Sequence, residues 1–132
     1  MVELMNKDRM APEQAAETHG KARPLQWDPR LAALARAHSL ELENGSFSHV
    51  SPDGSLPSDR MSRAGIQWLS MGENIAMSQD VARAEASFMN EPGFQQNHRG
   101  NILNPNFTTV GVGIVNGPDG YLYITQEFAQ LR

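Results

Sequence analysis

Apolar positions recur at helical spacing through most of the chain and at strand spacing near its end. The clearest run is "DPRLAALARAHSLELENG", where Leu31, Leu34, Ala35, His38 and Leu42 fall on one stripe. Asp28 suits the N-cap, Pro29 suits the first helical position because it has no N–H to leave unbonded, and Gly45 follows as a stop. A second run, "SQDVARAEASFMNEP", places Val81, Ala84, Glu85 and Phe88 on adjoining turns and ends at Pro92. Shorter helices are predicted at "VELMNKDRM", "LPSDRMSRAGI" and "HRGNIL", with one more helical turn inside the connection "APEQAAETHGKARP". "WLSMGENIAM" is short and ambiguous. The closing segment, "TTVGVGIVNGPDGYLYITQEFA", is two β-rich runs around "NGPDG", a hairpin signature. In its second run Tyr121, Tyr123, Thr125 and Glu127 share a face. Helices first and antiparallel strands last predict an α+β fold rather than a doubly wound parallel sheet.

Length and composition narrow the picture without naming a function. A chain of 132 residues reads as one domain, 1–132, able to bury roughly two-thirds of its unfolded surface. Net charge of -4 and a pI near 5.5 leave no electrostatic footprint for nucleic acid. Arg60, Arg63 and Arg99 read as solvated surface arginines. No apolar run is long enough for a transmembrane segment. Without cysteine, disulfides, thiol nucleophiles and cysteine-based zinc sites are ruled out. The start, "MVELMNKDRMAPEQ", has no apolar stretch of the secretory-signal kind, so the chain is either cytosolic or follows a trimmed signal or anchor.

Familiar catalytic motifs are missing: no G-x-S-x-G elbow, phosphate loop, dinucleotide fingerprint or H-E-x-x-H helix. What remains is polar residues in unexpected places. His49 precedes a Ser-Pro-Asp-Gly turn, Glu73 interrupts "MGENIAM", Glu91 falls at a helix C-terminus against the dipole, and His98 follows a short loop. Two imidazoles and two carboxylates from separate segments suit a divalent cation such as zinc, or a hydrogen-bonded acid/base cluster. Spacing alone does not single out these four. His38, on the apolar stripe, reads as a packed histidine, Trp27 and Trp68 as core anchors, and the methionines as core fillers.

Five segments together carry a family resemblance: "PLQWDPRLAALARAHSLEL", "FSHVSPDG", "MGENIA", "HRGNILNPNFTTVGVGI" and "YLYITQEFA". In this order, over residues 24 to 129, the chain resembles the bacterial branch of the CAP superfamily, the cysteine-rich secretory, antigen 5 and pathogenesis-related proteins. The resemblance implies a three-layer α-β-α sandwich with a central, mostly antiparallel sheet. It also implies a cleft carrying two histidines and two glutamates, here His49, Glu73, Glu91 and His98, with Glu85 as the alternative fourth member. Many bacterial relatives carry serine at the place of Glu91; this chain keeps the complete set and adds residues before His98.

From that resemblance follow a secreted or cell-surface location and zinc or another divalent cation as cofactor. Protein, peptide or lipid ligands are the partners it implies. The leading reading is a binding or interaction module. A metal-dependent hydrolase with Glu73 or Glu91 as general base is the alternative, and a purely structural or lipid-binding domain a third. Asn74 and Asn101, within the family motifs, are expected to anchor loop backbone.

Overall fold

A computed structural model describes residues 1–92 and 97–132. In chain order its elements are α1 (Val2–Met10), α2 (Pro12–Thr18), β1 (Gln26–Trp27), α3 (Pro29–Glu43), α4 (Pro57–Arg63), β2 (Trp68–Ser78), α5 (Val81–Met89), α6 (His98–Leu103), β3 (Thr109–Asn116) and β4 (Leu122–Leu131). The strands form one sheet in the order β1-β3-β4-β2. Its pairings are antiparallel except for the short parallel pair of β1 with β3.

The long helix forms as its sequence dictates. The Asp28 carboxylate accepts the N–H groups of Arg30 and Leu31, two of the donors that a helix start leaves unbonded. Its apolar stripe packs on one face of the sheet, where Leu31 meets Ala129 and Leu42 meets Ile75 and Tyr123. The approach is close because β3 offers glycines beneath the helix: a Cβ at Gly111 would lie 2.0 Å from the Ala32 backbone nitrogen.

The opposite face is covered by α1, α5 and α6, whose Met5, Phe88, Ile102 and Leu103 surround Phe128 and Val110 of the sheet. Arg9 of α1, fully buried, donates to the carbonyls of Arg23, Ile102, Asn104 and Phe107 at 2.6–3.0 Å. It thereby ties the N-terminal helix to α6 and the approach to β3. Three layers result, α3 and α4 on one side, the sheet, and α1, α5 and α6 on the other, as the resemblance implies.

Three local expectations are corrected. The ambiguous "WLSMGENIAM" lies within an eleven-residue strand, with Glu73 and Ile75 facing α3 and Gly72 and Asn74 facing α6. Trp27 is half exposed rather than a core anchor, because β1 is a two-residue strand at the sheet margin; Trp68 does pack against the core beside Leu31 and Met61. Arg60 and Arg99 are not solvated: their side chains are largely buried and ion-paired, with Glu73 and Glu17 respectively.

Candidate functional site

The strand β2 lies at the edge of the sheet and, among the described residues, pairs only with β4. Its alternation sends Glu73 toward the α3 side and Asn74 toward the α6 side. A cleft of about 330 Å³ straddles this edge, lined by His49, Glu73, Asn74, Asn97, His98 and Asn101. The two histidines therefore reach one space from opposite sides of the sheet.

On the first wall, His49 sits in the connection between α3 and α4, and its Nδ1 lies 2.8 Å from Glu73 Oε1. The second Glu73 oxygen accepts from Arg60 Nη2 at 2.6 Å. Behind the carboxylate, His38 Nε2 stands 3.6 Å away. That buried ring is also held by Glu41, 2.8 Å from Nδ1, and by the Ser48 carbonyl, 2.8 Å from Nε2. Glu127 lies directly opposite Glu73 in the β2–β4 register. Burial raises the pKa of Glu73, but Glu127, His49, His38 and Arg60 together outweigh it and hold the carboxyl below the usual range. Glu127 is the reverse case. Burial first and the hydrogen bond shared with neighbouring Glu73 second push it well up, which favours its protonated form.

The second wall is built at the entry to α6. Asn97 caps the helix by accepting from the Gly100 N–H at 2.6 Å. His98 is the first helical residue; its ring stacks on Phe88 with centroids 4.7 Å apart, and its Nδ1 lies 2.7 Å from Glu91 Oε2. The other Glu91 oxygen accepts the Arg99 N–H at 3.0 Å. The carboxylate at the end of α5 thus serves the start of α6, where the dipole favours it. Burial raises the Glu91 pKa, but the His98 and Arg99 contacts outweigh it and keep it below the usual range. Between the walls, Asn74 donates to the His98 carbonyl at 3.1 Å, and Asn101 donates to the Glu73 carbonyl at 3.3 Å and to the Asn74 side chain at 2.8 Å. Both asparagines anchor backbone, as expected.

Glu85, the alternative fourth residue, points away from this cleft. It lines a separate pocket of about 210 Å³ between α1 and α5. Burial and the Asp8 carboxylate push it up to about 9, so it is neutral. The residues added before His98 fall at 93–96, outside the described residues.

The chemistry of the donor set follows from hydrogen-bond roles. An ionised carboxylate only accepts, so each imidazole donates Nδ1–H to its glutamate, and in its neutral form the ring leaves Nε2 with the lone pair. Two imidazole donors lining one cleft fit a divalent cation. A four-residue cage does not fit, because both carboxylates are occupied by Nδ1–H, and among the described residues no group of three His, Cys, Asp or Glu side chains is placed to hold a metal ion. Sequence reasoning missed Arg60, Glu127 and the His38–Glu41 pair. For Glu127 a signal existed, an acidic residue on the helix-facing side of an apolar strand; for Arg60 there was none.

A model of the cysteine-rich secretory protein family, CAP, matches residues 2–128. The chain is 39% identical over 130 residues to the uncharacterized protein YkwD of Bacillus subtilis (strain 168), covering 97% of this chain and 45% of that protein. Among solved structures, it is similar to an extracellular protein of Bacillus anthracis str. Ames containing an SCP domain, with 30% identity, a TM-score of 0.71, and coverage of 96% of this chain and 40% of that one. An outer surface protein of Borrelia burgdorferi shares the fold with a TM-score of 0.73 at 17% identity, covering 96% of each chain. The chain spans less than half the length of the YkwD protein it matches. No helix among the described residues is long and apolar enough to cross a membrane.

Proposed function

Since the chain belongs to the cysteine-rich secretory protein (CAP) family, we propose that it acts outside the cell as a binding module whose cleft holds a divalent cation, zinc first among them. The observation that carries this reading is the pair of imidazoles lining one cleft, each with Nδ1 held by an ionised glutamate. His49 and His98 would hold the ion through Nε2, with Glu73 and Glu91 orienting the rings and raising their basicity. A bound zinc would supply a Lewis-acidic centre for an oxygen or nitrogen group of a protein, peptide or other ligand. Extracellular placement is supported by the relatives described as extracellular and outer-surface proteins.

Binding is preferred over hydrolysis on a specific ground. With Glu73 engaged by His49 and Arg60, and Glu91 by His98 and the Arg99 N–H, neither carboxylate is free to serve as general base.

Zinc titration by calorimetry at pH 7.5 on chelator-stripped protein tests the reading, with His49→Ala and His98→Ala alongside. The expected result is one ion per chain in the wild type and loss of stoichiometric binding in both variants. Affinity should fall as the pH is lowered, because protons compete for the same nitrogens. No binding in the wild type would overturn the metal reading and leave two His–Glu pairs as structural elements.

A further inference from the structure

The two histidines are not held alike. His98 sits on a helix, stacks on Phe88 and has its glutamate fixed by a backbone N–H. His49 sits outside regular secondary structure, its side chain is 49% exposed, and it has no stacking partner among the described residues. Something other than packing must place it.

One side chain, Arg60, contacts both the His49 backbone and the glutamate that holds its ring. Arg60 Nη2 donates to Glu73 Oε2 at 2.6 Å, and Glu73 Oε1 accepts from the His49 ring. Arg60 Nη1 donates to the His49 carbonyl at 2.9 Å, to Ser51 Oγ at 2.9 Å and to the Ser55 carbonyl at 3.0 Å. The ring of His49 is thus fixed through Glu73 and its backbone directly, by two nitrogens of the same planar group. The helix that presents Arg60 is itself anchored: the next residue, Met61, is fully buried against Leu31 and Ile66. We propose that Arg60 is the positioning residue of the His49 wall, setting the place and tautomer of that imidazole for whatever the cleft binds.

Arginine is required on this account because the task needs a rigid fork. Two nitrogens at fixed separation bond anchors on two different segments, β2 and the residue 49–55 loop. A lysine ammonium carries the charge but is a single point and does not span both.

This inference rests on the metal reading only for its zinc arm, so the test has two arms. Long-range ¹H–¹⁵N spectra of the imidazoles in metal-free protein report the tautomer of each histidine, and calorimetry reports zinc affinity. In the wild type, His49 and His98 should both show the Nδ1–H form. In Arg60→Lys and Arg60→Gln, His49 should become a tautomer mixture while His98 keeps its signals, and zinc should bind about 10-fold more weakly or worse, the usual effect of losing an outer-shell partner. Unchanged His49 signals in both variants would overturn the proposal. So would equal changes at His49 and His98, since Arg60 would then be a general structural residue. If wild-type protein binds no zinc, the metal reading fails and the tautomer arm alone decides the role of Arg60.

Discussion

The two walls of the cleft present the same chemical pair, an imidazole and a carboxylate, in opposite surroundings. Glu73 is 2% exposed and sits among His49, Arg60, His38 and a protonated Glu127. Glu91 is 29% exposed and is satisfied by one imidazole and one backbone N–H. The first wall combines a buried carboxylate with a half-exposed histidine; the second puts the rigidity in the histidine itself, through its helix and Phe88. Identical pairs can thus be held either from the carboxylate side or from the ring side.

The largest expected difference between the walls is in stability. Glu73→Ala leaves the largely buried Arg60 without its carboxylate and should cost about 3–5 kcal/mol in urea denaturation. The matching Glu91→Ala should cost about 1 kcal/mol or less, as for an exposed ion pair. Equal losses would erase the distinction drawn here.

Next in size is a pH effect that separates ionised from protonated carboxyls. Glu85 has its folded pKa raised to about 9 and Glu127 is raised as well, while both ionise in the unfolded chain near the ordinary carboxylate value. Between those limits the folded state binds more protons, so stability is greatest at low pH within the window and is lost as pH rises. Glu85 contributes a slope of about 1.4 kcal/mol per pH unit at most, or roughly 3 kcal/mol between pH 5.5 and 8, and Glu127 acts in the same direction. Glu85→Gln should remove its share of that slope and be more stable than wild type at pH 8. Glu73 and Glu91, both held below the usual range, act oppositely and only on the acid side, where their stabilisation is lost as pH falls through their folded pKa values.

The smallest effect concerns the open wall alone. Glu91→Gln keeps the size of the side chain but loses its charge, and should weaken zinc binding by about 10-fold with little change in melting temperature. A variant that binds zinc as wild type does would show that the Phe88 stack suffices to orient His98.

What the sequence revealed was local. The α3 start was legible because Asp28 and Pro29 act on their own neighbours, and the closing hairpin because "NGPDG" defines its own turn. Strand β2 was obscured by Glu73 and Asn74, polar residues that interrupt alternation because each is paid for by partners far along the chain. The four cleft residues came from the resemblance and not from spacing. Arg60 was misread because its partners, Glu73 and the carbonyls of His49 and Ser55, meet only once β2 and α4 are in place. Glu91 had looked misplaced at the end of α5, and the start of α6 explains it.

The bare glycines of β3 bear on how the domain opens. With no side chain between them, the backbone of α3 rests on that of β3 at Gly111 and again at Gly113, where a Cβ would lie 2.2 Å from the Arg36 nitrogen. Water cannot enter such a seam without separating helix from sheet. The amides of α3 and β3 should therefore exchange with deuterium only through global unfolding, and slowest in the molecule. His49 is wired to this slow-exchanging unit through Glu73 and the buried His38 of α3, whereas the short α6 that carries His98 should open on its own at lower free-energy cost.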